Sequence, residues 1–244
     1  MPEKILITYW SDYCCPYCHF VTHELKEKLR ALGVLERVAF RMLAFELEPN
    51  APLESQGTFY DKMVARWGLS EEHARRKCDK MTRLAHAAGL PDMEVAGTPD
   101  INSFNLHRLT KYAAGKGLAD VLHEKLMRAL YEEHRDISRP VEMMTIASEC
   151  GLDPEMSIKV LATDAYAAEV RSDEDAAAKL GITSIPHYLI GGEVFPDGGN
   201  VPEMVAKVLE LLGEQARPAA PEKPEEVASG AACTLGPDGK YHCA

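Results

Sequence analysis

The β-rich run Ile5-Leu6-Ile7-Thr8-Tyr9-Trp10 predicts a strand over 4–10. A helical pattern follows over 15–33, closed by Gly33, and Val38-Ala39-Phe40-Arg41-Met42-Leu43 predicts a second strand. Parallel pairing of these strands makes a right-handed β-α-β start. From about 50 to 164 the strand signal disappears. Apolar residues recur at helical spacing, as in Leu118, Val121, Leu122, Leu126 and Leu130, with stop signals at Gly68, Gly89, Pro99, Gly117, Pro140 and Gly151. Five or six helices are expected there. Ser70 ahead of Glu71-Glu72-His73 and Asp153 ahead of Pro154 are helix-start signals. Strands return as Ile182-Thr183-Ser184, then His187-Tyr188-Leu189-Ile190, a Gly191-Gly192 turn and Val194-Phe195. A last helix covers about 201–213. The pattern predicts an α/β fold in three pieces: 1–48, an all-helical insertion at 49–164, and 165–215. Residues 216–232, rich in Pro, Ala and Glu, read as a flexible linker, and 233–244 as a cysteine-bearing hairpin tail.

A chain of 244 residues has room for a sizeable core, and 46% hydrophobic with 27% charged residues is ordinary for a water-exposed globular fold. The net charge of −11 argues against nucleic acid or an anionic membrane as partner. Met1-Pro2-Glu3-Lys4 runs straight into the first strand with no apolar leader, and no stretch is long and apolar enough to span a bilayer. The expectation is a cytoplasmic protein, in which most of the seven cysteines stay reduced and a persistent pair is catalytic rather than structural.

The chemistry concentrates in Ser11-Asp12-Tyr13-Cys14-Cys15-Pro16-Tyr17-Cys18. Cys15 and Cys18 form a Cys-x-x-Cys at the junction of strand and helix. A thiolate at a helix N-terminus sits among unpaired backbone N–H groups and the positive end of the dipole, which lowers its pKa. Pro16 suits the first turn, where no N–H donor is needed. Cys18, one turn on, is placed to resolve a mixed disulfide. The competing readings are half a zinc site, which would need a second close ligand pair, or two unrelated core cysteines. A second feature is Pro186 just before a strand, where a proline needs a reason. A trans proline at a strand start is the plain alternative.

With these residues assembled, the chain resembles the DsbA-like thioredoxin superfamily and, within it, the FrnE-like oxidoreductases. The likeness covers about 4–213. It rests on Ser11-Asp12 with Cys15-Pro16-Tyr17-Cys18, on Asn102-Ser103-Phe104-Asn105-Leu106-His107-Arg108-Leu109, on Gly181-Ile182 leading to Ile185-Pro186, and on the helical insertion itself. It implies a thioredoxin-like fold with an inserted all-helical domain. It also implies Cys15 as exposed nucleophile, Cys18 as resolving thiol, and Pro186 as a cis proline facing them. The backbone of Ile185 would then be open to a substrate strand, with Pro16, Tyr17 and His187 beside it. His187 either tunes Cys15 or occupies a strand face. His107 and Arg108 either line a groove or serve as buried capping residues.

The tail carries Cys233 and Cys243 around Pro237-Asp238-Gly239, the signature of a three-residue hairpin loop. That loop puts Leu235 opposite Tyr241, Thr234 opposite His242, and Cys233 opposite Cys243, within disulfide reach. The pair is read as a second redox pair that relays electrons to Cys15–Cys18 or regulates them. A stabilising bridge, or a metal site with His242, remains open. Cys14, Cys78 and Cys150 read as packed thiols, and Glu71 to Lys77 as a solvated helix face with i, i+4 pairs. The expected function is thiol–disulfide oxidoreductase or isomerase on disulfide-bearing proteins or peptides. Glutathione or a thioredoxin-type reductant is the candidate electron source, and no cofactor or metal is needed. The alternatives are a kappa-type glutathione-dependent transferase or isomerase, in which a Ser stands at the Cys15 position, and a peptide- or zinc-binding module.

Overall fold

The computed structural model describes residues 4–213 together with the backbone of 233–235 and 241–243. Strand β1 (Ile5–Ser11) pairs parallel with β2 (Val38–Ala44) and antiparallel with β4 (His187–Ile190), which pairs antiparallel with β5 (Glu193–Phe195). The sheet order is β2-β1-β4-β5. Helix α1 (Pro16–Ala31) joins β1 to β2, as the β-α-β reading requires; it ends at Ala31, and Gly33 takes the left-handed conformation that turns the chain.

Between β2 and the short strand β3 (Ser184–Ile185) every regular element is helical: α2 (Phe59–Ala65), α3 (Glu71–Ala87), α4 (Phe104–Ala114), α5 (Ala119–Tyr131), α6 (Pro140–Glu149), α7 (Pro154–Ala162) and α8 (Ala167–Lys179). Ser70 and Asp153 accept from the backbone N–H groups of His73 and Met156, closing α3 and α7 at their N-termini. Pro140 opens α6 rather than ending a helix, because proline at the first helical position forfeits no bond. Arg76 pairs with Glu72 on the exposed face of α3.

Side-chain alternation assigns the two sheet faces. Tyr9 and Tyr188 stack at 5.5 Å, and the Tyr188 hydroxyl shares a hydrogen bond with Thr22 of α1. Trp10 points the other way and donates to the Asp173 carbonyl of α8, whose carboxylate accepts from the Ala44 amide. Helix α9 (Val201–Leu211) packs beside α1. Strand β3 begins two residues later than its sequence pattern predicts, because only Ser184 and Ile185 find a pairing strand. That strand is β6 (Cys233–Leu235), paired in turn with β7 (Tyr241–Cys243) as a separate three-stranded sheet β3-β6-β7. Its register sets Cys233 opposite Cys243, as the loop length requires. No helix among the described residues is long and apolar enough to cross a membrane.

Candidate active site

Cys15 is the N-cap residue of α1, with Pro16 in the first turn. The Cys15 amide donates to the Asp12 carbonyl and the Cys18 amide to the Cys15 carbonyl, both at 3.1 Å. This winds Asp12–Cys18 into a tight turn that holds the two cysteines one helical turn apart. The Ile185–Pro186 peptide is cis, and the Cys15 thiol points at the Ile185 carbonyl at 3.9 Å. Cys15, Cys18, Ile185 and Pro186, some 170 positions apart in sequence, therefore meet at one point.

Two expectations about Cys15 change. Its side chain is fully buried, not exposed. Its thiol is also pushed well up rather than lowered: burial contributes most, followed by the hydrogen bond and charge of Cys18 and by the Asp12 charge. The backbone N–H of Cys18 pulls the other way. The helix end does favour a thiolate, but desolvation of a covered sulfur outweighs it.

Asp12 is the hub beneath the turn. Its carboxylate, fully buried, accepts from the Leu47 amide at 2.7 Å, the Cys14 amide at 3.3 Å and His107 Nε2 at 3.3 Å. Burial pushes its pKa up, but the bond and charge of His107, the Ser103 side chain and the Leu47 amide outweigh burial, and the net displacement is downward. Further clamps come from the helical block. Thr110 shares a hydrogen bond with Tyr13 Oη, Tyr131 donates to the Tyr13 carbonyl at 3.0 Å, and the Cys14 thiol donates to the Ile101 carbonyl at 3.1 Å. Thus Asp12 and His107, from two motifs distant in sequence, are joined directly.

Arg108 caps. Its guanidinium donates to the carbonyls of Val160, Thr163 and Ala165 and to Asn105 Oδ1, tying α4 to the end of α7. Pro16 and Tyr17 are buried at the site, with the Tyr17 ring 5.0 Å from Phe20. Of the two readings of His187, the structure shows the strand face. Tyr188 faces α1, so its neighbour His187 faces the opposite side of the sheet. There its ring meets Trp10 edge-on at 6.1 Å, and burial lowers its pKa against the pull of Asp197. Cys78 and Cys150 are buried core thiols. The side chains of Cys233 and Cys243 lie outside the described structure, as does the linker.

A feature the sequence reading missed is His19-x-x-x-His23, one helical turn apart on α1. With His123 of α5 these rings line a cavity of about 260 Å³. His123 is buried, neither ring nitrogen has a hydrogen-bond partner, and burial leads the causes that hold its pKa well down. No group of three or more His, Cys, Asp or Glu among the described residues is arranged to hold a metal ion.

The model of the DSBA-like thioredoxin domain family matches residues 6–210, and the chain belongs to that thiol–disulfide oxidoreductase family. Among solved structures, it resembles a probable DsbA oxidoreductase from Streptomyces coelicolor at 26% identity and a TM-score of 0.77, covering 98% of both chains. A 2-hydroxychromene-2-carboxylate isomerase matches at 15% identity, TM-score 0.63, over 85% of this chain and 96% of that one. The cytosolic disulfide reductase DsbM from Pseudomonas aeruginosa matches at 16%, TM-score 0.56, over 86% and 98%. The last two likenesses show the fold alone and span about as much of the chain as the family match does. No functionally curated protein matches the chain.

Proposed function

We propose that the protein is a thiol–disulfide oxidoreductase of the FrnE-like branch, exchanging disulfides of proteins or peptides through Cys15-Pro16-Tyr17-Cys18. The observation that carries this reading is the convergence of Cys15, Cys18 and the Ile185–Pro186 backbone at the N-terminus of α1. Cys15, having lost its proton to solvent, attacks as the thiolate one sulfur of a substrate disulfide. The S–S bond breaks, the distal sulfur leaves and takes up a proton, and Cys15 is joined to the proximal sulfur. Cys18, having lost its proton to solvent, attacks the Cys15 sulfur and expels the second substrate thiol, leaving Cys15–Cys18 oxidised. Two electrons pass to the substrate; run backwards, the same steps oxidise a dithiol. Cys233 and Cys243 serve as a second redox pair that exchanges electrons with Cys15–Cys18, and glutathione or a thioredoxin-type reductant in the cytoplasm resets the enzyme. Cys18 supports this reading over a kappa-type transferase, which has no step for a second thiol.

The test is turnover of a fluorogenic peptide disulfide with glutathione as reductant. Wild type is expected to turn over, Cys15→Ser to be inactive, and Cys18→Ser to accumulate peptide joined to Cys15. Turnover that survives Cys18→Ala at the wild-type rate refutes the dithiol mechanism and favours glutathione chemistry.

A further inference from the structure

We propose that β6 is a tethered occupant of the substrate seat, and that substrates are extended segments of the form Cys-x-apolar that displace it. Residues two apart in a strand share a face, and the seat is defined by backbone pairing to the residues before Pro186. In the structure that pairing is taken: β6 runs antiparallel to β3, with Cys233 opposite Ile185 and Thr234 opposite Ser184. The carbonyl of that same Ile185 accepts from the Cys15 thiol. Cys233 thus holds the register position nearest Cys15, and Cys243 sits one strand further out, opposite Cys233 on β7. The burial of Cys15 at a helix N-terminus, where a nucleophile has to meet its partner, is what an occupied seat produces.

The register also defines a second position. The observed pairs stop at Ser184; extrapolated one residue further, the same register places Leu235 across from Thr183. Thr183 lines a cavity of about 480 Å³ whose wall includes Phe45, Pro49 and Ile182, with Arg171 and Glu46 beside them. An antiparallel segment whose cysteine sits opposite Ile185 therefore brings the residue two positions on to an apolar-walled hollow. The tail's own Cys233-Thr234-Leu235 has that form.

This inference rests on the disulfide-exchange reading for its chemistry but not for its occupancy test. Replacing Thr234 with proline removes a strand N–H and disfavours the pairing with β3 while leaving both tail cysteines in place. Thr234→Pro is expected to raise the rate at which iodoacetamide labels Cys15, read by mass spectrometry, at least tenfold. Cys233→Ser/Cys243→Ser, which keeps the strand backbone, is expected to stay within twofold of wild type. Equal Cys15 labelling in wild type and Thr234→Pro overturns the occupancy, whether or not the protein turns over disulfides. In the second arm, reduced peptides Cys-Thr-Leu and Cys-Thr-Asp, each capped at both ends, compete for the seat in the Thr234→Pro chain. Stronger protection of Cys15 by the leucine peptide supports the apolar position, and equal protection overturns it. In Cys18→Ser, oxidation is expected to trap Cys15 with Cys233; trapping with Cys243 instead overturns the register.

Discussion

Replacing Asp12 tests whether the two sequence motifs act as one unit beneath the active-site turn. Asp12→Ala deletes the acceptor of the Leu47 and Cys14 amides and the partner of His107, all within 3.3 Å of a carboxylate that is fully buried. Each buried group left unsatisfied costs about 1–3 kcal/mol, and more where the lost acceptor was an ionised carboxylate. These costs overlap, so the expected loss is about 4 kcal/mol. Asp12→Asn keeps an acceptor oxygen for the Leu47 amide and a group for His107, and is expected to lose about 1–2 kcal/mol, the difference between charged and neutral hydrogen bonds. Urea unfolding at pH 7 measures both. The carboxylate charge also holds the Cys15 thiol up, after burial and Cys18. Asp12→Asn should therefore lower the Cys15 pKa, read as a shift of the pH profile of its alkylation toward lower pH, which a change of access alone does not produce. If Asp12→Ala and Asp12→Asn unfold within about 0.5 kcal/mol of each other, the hub carries less than the hydrogen-bond pattern implies. An alkylation profile that stays in place or moves toward higher pH in Asp12→Asn refutes the electrostatic argument.

Because the Asp12 pKa is lower in the fold than in the unfolded chain, its stabilisation is fully present above the ordinary carboxylate range, near pH 4. It is lost as pH falls below that range, so wild type should lose stability more steeply than Asp12→Asn between about pH 4 and 2. Arg108→Ala should cost about 2–4 kcal/mol in urea unfolding, because three carbonyls near the end of α7 lose a charged donor. Arg108→Lys should recover less than half of that, since an ammonium does not span the same acceptors, and full recovery would mean that charge alone matters. Lys62, buried between Asp100 at 3.1 Å and Glu48 at 3.4 Å, should cost about 3–5 kcal/mol as Lys62→Ala. A loss below 1 kcal/mol in the same assay would show that Arg66, which also contacts both carboxylates, satisfies them alone.

The cysteine spacing, the proline before a strand and the hairpin register were legible because each is a local pattern with a local physical cause. Asp12 and His107 were visible as motif residues, but their bond was not: 95 positions separate them, and spacing carries no information on which distant side chains meet. The burial of Cys15 was illegible for the same reason, since the helix-terminus argument treats the thiol without the chain that covers it. His187 could have been assigned by alternation once Tyr188 was placed on the α1 face. His19 and His23 stand at a plain helical interval, but their cavity needs His123 from α5, which only the fold supplies.

The most direct test of the central claim is a redox titration of the whole chain, with each cysteine mapped by differential alkylation and mass spectrometry. The account predicts that Cys15 and Cys18 oxidise together as a two-electron couple, a tenfold change in their ratio for about 30 mV, while Cys14, Cys78 and Cys150 stay reduced throughout. If Cys15 and Cys18 never become joined at any potential, the protein does not work by dithiol exchange.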